Sequence, residues 1–304
     1  MDMELEATCQ TLKKALKGNK DTLIHLVIGK NQRDRLSIRD TYKEIFGKEL
    51  IEDVNKELNG NFRRVIVDLF RSPEERDAYY LYKSMKRMGT NDETLIEILC
   101  SRPNHDVFKI NEKFKSIYNT ELEKMVYSET SGDIQKLLIS IVQCKRSENA
   151  NPNDEECKKL AKELYNGGVG KISADSETFY KVFALSSPPE LLSINSFYQE
   201  LASKSLKSAV EKDFSGNMKT ALITILESTI SPSDYYASRI YKAVKGLGTN
   251  DKMLIRNIVL NEGSNMKEIR ESYKNLYSKD MLDDIKSDTS GDYQKILLLI
   301  AGGN

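Results

Sequence analysis

Four segments of this chain repeat one another in register, and that confines the fold more than any other feature. They are Leu36-Ser-Ile38-Arg-Asp-Thr-Tyr42, Phe108-Lys-Ile110-Asn-Glu-Lys-Phe114, Leu192-Ser-Ile194-Asn-Ser-Phe-Tyr198 and Lys267-Glu-Ile269-Arg-Glu-Ser-Tyr273. The isoleucines step by 72, 84 and 75 positions, and Gly60, Gly132, Gly216 and Gly291 step by the same three numbers. Apolar closers at Val65–Phe70, Leu137–Val142, Ala221–Leu226 and Ile296–Ala301 keep the offsets again.

Within a repeat the apolar spacing is helical. Leu95, Ile96, Leu99 and Cys100 share one face, and Phe108, Ile110, Phe114, Ile117 and Tyr118 form a second stripe. Strand-like alternation is sustained nowhere, and Pro73, Pro152, Pro188, Pro189 and Pro232 fall between stripes, where helices start or break. The expectation is an all-α protein of four homologous repeats, each of about five short helices. Residues 1–6 read as a short tail, 7–71 as repeat one, 72–146 as repeat two, 147–229 as a linker with repeat three, and 230–304 as repeat four. The polar stretch Ser147–Glu156 lengthens the second step and reads as a linker dividing the chain into halves.

Two repeats carry a loop that suggests chemistry. Repeat four has Lys245-Gly-Leu-Gly-Thr249 and, further on, Asp288-Thr-Ser-Gly-Asp292; repeat two has Lys86-Arg-Met-Gly-Thr90 and Glu129-Thr-Ser-Gly-Asp133. Asp288 lies 40 positions beyond Gly248 and Glu129 lies 40 beyond Gly89. A glycine loop and a distant carboxylate at fixed separation suggest one site built from two loops. Thr90-Asn-Asp-Glu93 reads as a capping box, which puts the loop between the electronegative end of one helix and the start of the next. Gly246 and Gly248 permit positive φ, so successive carbonyls can converge. Ca²⁺ prefers about six to eight oxygens, so three carbonyls and a two-oxygen carboxylate leave positions for a lipid phosphate.

Composition narrows the alternatives. Lys and Arg total 46 and so do Asp and Glu, so no global basic field draws the chain to nucleic acid. Cys9, Cys100, Cys144 and Cys157 form no CxxC pair and read as free thiols of a reducing compartment. His25 and His105 read as helix-surface or core residues, and with only two histidines no catalytic set assembles; the expectation is a non-enzyme. The N-terminus lacks a secretory pattern and the longest apolar run, near Ile296–Ala301, is too short to span a bilayer, so membrane contact would be peripheral and from the cytosolic side. The tyrosines at 79, 80, 82, 235, 236 and 241 read as packing rather than as a platform for bases. Gly167-Gly-Val-Gly-Lys-Ile172 is no P-loop, since no strand precedes it and Ile follows Lys171.

The run Gly89-Thr-Asn-Asp-Glu-Thr-Leu-Ile-Glu-Ile-Leu-Cys-Ser-Arg102, with 128–133, resembles an annexin repeat, and repeat four does so equally. The resemblance extends over nearly the whole chain and takes in the divergent alpha-giardins. It implies a slightly curved helical disc with Ca²⁺ loops that dock on acidic phospholipid. Carried over, it implies Ca²⁺ bound in repeat four by the carbonyls of Val244, Gly246 and Gly248 and the carboxylate of Asp288. Repeat two would use Met85, Arg87, Gly89 and Glu129. Arg87 replaces the first glycine, implying a weaker site or a direct contact of Arg87 with phosphate. Repeat three keeps Asp213, with Lys171 and Ser173 as carbonyl candidates. Repeat one keeps Glu57, but its loop, Leu16–Lys20, is two residues short and lacks Gly-Thr, so no site is expected there. The tips Met88 and Leu247 would meet the headgroup region or pack on a neighbouring loop. A second reading is a helical scaffold for cytoskeletal proteins, with Ca²⁺ secondary.

Overall fold

The computed structural model of the protein describes residues 3–86, 90–168 and 175–303. The described residues form helices and connecting turns, five helices to a repeat. Repeat one holds α1 (Met3–Leu16), α2 (Lys20–Ile28), α3 (Gln32–Phe46), α4 (Leu50–Glu57) and α5 (Gly60–Leu69). Repeat two holds α6 (Pro73–Met85), α7 (Asp92–Ser101), α8 (Asn104–Tyr118), α9 (Leu122–Glu129) and α10 (Gly132–Val142). Repeat three holds α11 (Asp154–Gly168), α12 (Ser176–Leu185), α13 (Pro188–Ala202), α14 (Leu206–Asp213) and α15 (Gly216–Ile230). Repeat four holds α16 (Pro232–Val244), α17 (Asp251–Leu260), α18 (Met266–Tyr277), α19 (Met281–Asp288) and α20 (Gly291–Ile300).

Local chemistry sets these boundaries. Pro73, Pro188 and Pro232 open helices, where a missing N–H costs nothing. The four glycines in register, Gly60, Gly132, Gly216 and Gly291, have φ of 62°, 68°, 56° and 61° and each starts the last helix of its repeat, a left-handed conformation that a side chain would strain. Helix α1 begins at Met3, so residues 3–6 extend the first helix instead of forming a tail; Glu4 and Glu6 suit its N-terminal dipole.

The chain forms two compact units that do not follow its order. One contains 1–76 and 233–304, repeats one and four; the other contains 77–232, repeats two and three. In the first, α5 packs on α17 and α20, and α2 on α20; in the second, α7 packs on α15, and α10 on α12 and α15. Each unit has its own apolar core. The linker therefore does not divide the chain into halves. It lies inside the second unit, held by Ser147 N–H on Leu185 O (2.6 Å) and Ser187 Oγ on Asn149 O (2.8 Å). Its last residues, Asp154–Glu156, are the first turn of α11, capped by the Asn153 side chain.

Leu95, Ile96, Leu99 and Cys100 are all buried, as their spacing predicts. The second stripe is narrower than expected. Phe108 and Ile117 are 55% and 47% exposed, and the buried face of α8 is Val107, Ile110 and Phe114. Apolar type alone assigned the first two to the core; helical phase places them on the flank.

Candidate functional site

The repeat-four loop is built between α16 and α17. Asn250 N–H closes it on Ala243 O (2.8 Å), and the Asn250 side chain accepts from Met253 N–H (3.2 Å), capping α17. Gly248 has φ 87°, the left-handed region. Gly246 does not: its φ lies outside that region, and a Cβ there would stand 3.9 Å from Gly248 O. The expectation of two glycine-only turns therefore holds at Gly248 and fails at Gly246. Val244 is buried at the helix end, while Leu247 is fully exposed and packs on no neighbouring loop. Among the described residues, no backbone hydrogen bond ends on the carbonyls of Val244, Gly246 or Gly248. Carbonyls without backbone partners at and just beyond a helix C-terminus are electronegative.

Asp288 is the last residue of α19, and it reaches this loop. The Thr249 hydroxyl donates to Asp288 O (2.8 Å) and lies 3.2 Å from Asp288 Oδ2. The turn after α19 is braced by Gln294, whose Nε2 donates to Lys286 O (2.7 Å) and to Thr289 O. Repeat two reproduces the arrangement. Asn91 N–H closes on Ser84 O (2.9 Å), Asn91 caps Thr94 N–H (3.0 Å), and Thr90 Oγ1 lies 3.2 Å from Glu129 Oε2. Gln135 Nε2 donates to Tyr127 O (2.8 Å) and Thr130 O. Met85 ends α6 with its side chain buried, whereas Arg87, Met88 and Gly89 lie outside the described residues.

The threonines thus do not act as caps. Asn91 takes that place, one residue later, and Thr90 turns its hydroxyl to the distant carboxylate. Capping boxes form instead at Ser187 with Glu190, and at Ser72 with Glu75.

Repeats one and three depart. In repeat three, Asp175 N–H closes on Gly167 O, a span of eight positions against seven in repeats two and four. Asp213 Oδ2 lies against the end of α11, so close that a Cβ on Gly168 would meet it at 2.9 Å. Lys171 and Ser173 lie outside the described residues. Lys219 stands at the register of Gln294 and donates to Glu211 O (2.8 Å). In repeat one, Asn19 N–H closes on Ala15 O, a span of four, three short of repeats two and four, where the sequence register indicates two; Glu57 is exposed.

The described residues, these loops included, hold no group of three or more His, Cys, Asp or Glu placed to hold a metal ion. Any cation in these loops would be held chiefly by main-chain oxygens. His25 and His105 are exposed on helix surfaces. The four cysteines are free thiols; burial, and next to it Glu6, pushes Cys9 up to about 11, and burial pushes Cys100 up to about 12. The tyrosines pack: Tyr82 stacks on Tyr118 and Tyr241 on Tyr277. No described helix is long and apolar enough to cross a membrane.

The sequence reading missed the threonine–carboxylate contacts, the Asn caps and the Gln braces. The signal was present: Thr90, Asn91, Glu129 and Gln135 recur 159 positions on as Thr249, Asn250, Asp288 and Gln294. Of this set, equal spacing from the loop glycines Gly89 and Gly248 singles out only the carboxylates.

Residues 7–69, 76–141, 159–225 and 235–300 each match the sequence model of one family, described as Annexin. Annexin A4 of Mus musculus is 36% identical over 298 residues, covering 97% of this chain and 93% of that protein. Annexin A7 of Homo sapiens is 35% identical over 296 residues; these are 96% of this chain, which spans 61% of that longer protein. A solved structure of annexin III aligns with a TM-score of 0.95 at 31% identity, covering 100% of this chain and 95% of that one.

Proposed function

Given that this chain belongs to the annexin family, whose members in general bind phospholipid in a Ca²⁺-dependent manner, we propose that it binds acidic phospholipid membranes reversibly through Ca²⁺ held in the loops of repeats two and four. One observation carries the reading. In both repeats a carboxylate some 39 positions downstream is brought to the threonine of the loop, Asp288 to Thr249 and Glu129 to Thr90.

The donor set fits Ca²⁺, a hard cation that takes carbonyl and carboxylate oxygens. In repeat four the donors are the carbonyls of Val244, Gly246 and Gly248 with Asp288. In repeat two they are the carbonyls of Met85, Arg87 and Gly89 with Glu129. Asp213 with the carbonyls of Lys171 and Ser173 makes a weaker third set, because the brace at Lys219 reaches only one carbonyl and the loop closes over a longer span. Ca²⁺ supplies, when bound, a charge that a lipid phosphate can share. The chain supplies the rest: Thr249 orients the carboxylate, Gln294 fixes the turn, and Leu247 offers an apolar tip to the headgroup layer from the cytosolic side.

The deciding experiment is co-sedimentation with vesicles of phosphatidylserine and phosphatidylcholine. The protein should pellet with Ca²⁺ and release with chelator. The double variant Glu129→Gln/Asp288→Asn should need at least about tenfold more Ca²⁺, the scale of two lost charged ligands. Unchanged pelleting of that variant would overturn the ligand assignment, and no pelleting of the wild type would overturn the function.

A further inference from the structure

The two repeats that share the loop geometry also share an aromatic stack that the loops themselves do not require. Tyr241 of α16 lies face to face with Tyr277 of α18, centroids 3.6 Å apart and planes 11° apart. Lys245 Nζ sits 4.7 Å from the Tyr241 ring. In repeat two, at the same register, Tyr82 lies on Tyr118 at 3.8 Å and 5°, with Lys86 Nζ 4.9 Å from the Tyr82 ring.

The other two repeats lack the stacked pair. In repeat three, Ala202 occupies the register of Tyr277, and Tyr165 meets Tyr198 edge-on at 6.4 Å. In repeat one, Phe46 is present, but Lys13 takes the place of the first ring and lies 3.7 Å over it. The stack therefore follows the loop and carboxylate pairing through all four repeats.

Its position explains why. Tyr241 stands three residues before Val244, the first proposed carbonyl. Tyr277 is the last residue of α18, and Asp280, three residues on, caps the eight-residue α19 that ends at Asp288. The rings thus join the helix that presents the carbonyls to the pivot of the helix that presents the carboxylate. In repeat four the connection continues. Tyr277 packs edge-on against Tyr273 at 5.2 Å, and the buried Tyr273 hydroxyl donates to Asp284 Oδ2 at 2.6 Å, one turn before Asp288. In repeat two Phe114 stands at that register and has no hydroxyl.

We propose that this stack is a strut that holds the two halves of each Ca²⁺ site at binding distance, with Tyr118 and Tyr277 as positioning residues and Tyr273 as an added tie that makes the repeat-four site the tighter one. The inference rests on the calcium reading above. A pre-set spacing raises affinity by removing the ordering cost of binding, without any contact between ring and metal. Paired rings suit the task because each aromatic contact spans a large, stiff surface and stabilises its pair beyond simple area burial.

The test uses the full chain with Glu129→Gln, so that repeat four dominates. Read out are the Ca²⁺ concentration for half-maximal pelleting with phosphatidylserine/phosphatidylcholine vesicles, and the melting temperature in chelator. Tyr277→Leu should raise that Ca²⁺ concentration about three- to tenfold, and Tyr277→Phe, which keeps the stack, should stay within about twofold of its parent. Tyr273→Phe keeps the buried ring and removes only the hydroxyl, and should raise it at least about twofold. A Ca²⁺ midpoint unmoved in both Tyr277→Leu and Tyr273→Phe, with melting lowered or not, makes the rings mere packing and overturns the strut. A wild type that ignores Ca²⁺ altogether overturns the calcium reading, and the strut with it.

Discussion

Thr249 and Asp288 stand 39 positions apart, yet the Thr249 hydroxyl lies 2.8 Å from the Asp288 carbonyl oxygen and 3.2 Å from its carboxylate. A threonine that would ordinarily serve the next helix is spent on fixing a carboxylate. Thr249→Val keeps the shape and removes the hydroxyl. It should raise the Ca²⁺ needed for vesicle binding by about five- to tenfold, the worth of about one net hydrogen bond, while the melting temperature in chelator moves little. A calcium titration of vesicle pelleting, set beside a thermal melt, checks both halves.

The glycines of the loop are not equivalent. Gly248 uses φ 87°, so Gly248→Ala should cost about 1–2 kcal/mol of stability or distort the loop. Gly246→Ala should be close to neutral, since the added carbon has ordinary room beside Gly248 O. Thermal melts of the two single variants should separate them. Arg87 occupies the register of Gly246, and Gly246 does not use the left-handed region, so Arg87→Gly should tighten the repeat-two site by less than about threefold.

Leu247 projects entirely into solvent. Burying part of a leucine in the headgroup region contributes up to about 2 kcal/mol. Leu247→Ser should therefore weaken vesicle binding at saturating Ca²⁺ by about three- to tenfold and leave the melting temperature unchanged. Surface plasmon resonance on immobilised vesicles would read the difference as faster dissociation.

Arg102 and Asp77 form a buried pair within the second unit, through Nε at 2.7 Å and Nη2 at 3.2 Å. Removing one partner leaves the other charge buried. Arg102→Met should destabilise the second unit by about 3–5 kcal/mol, measured by urea unfolding. Because that unit holds repeats two and three, Asp288-dependent vesicle binding at low denaturant should survive the substitution.

The thiols give the protein an alkaline limit. Cys9 is held up at about 11 and Cys100 at about 12, against an ordinary value of 9.0, chiefly by burial. Folding favours their protonated form, so this contribution is complete below about pH 9 and is lost as pH climbs through those raised values. Tyr42 and Tyr273 act in the same direction, through burial and then their bonds to Asp53 and Asp284. Urea midpoints should fall steadily between about pH 9 and about pH 11, and fall less in Cys9→Val/Cys100→Val. A flat profile would contradict the assignment.

The sequence by itself determined the helices, their grouping into four repeats and the family. Each of these is written in local periodicity or in equal spacing: Leu95, Ile96 and Leu99 share a helical face whatever the rest of the chain does, and Gly60, Gly132, Gly216 and Gly291 mark one backbone conformation four times. Equal spacing also singled out Asp288 and Glu129. What only the tertiary structure decided was partnership. Repeat one pairs with repeat four across more than 150 intervening residues, Phe108 and Ile117 stay outside the core, Asn91 takes the cap and frees Thr90, and Tyr241 finds Tyr277. Periodicity reports which side of one helix is apolar. It carries no information on which other helix will cover that side, because that is settled only when every face competes at once for burial and every polar group for a partner.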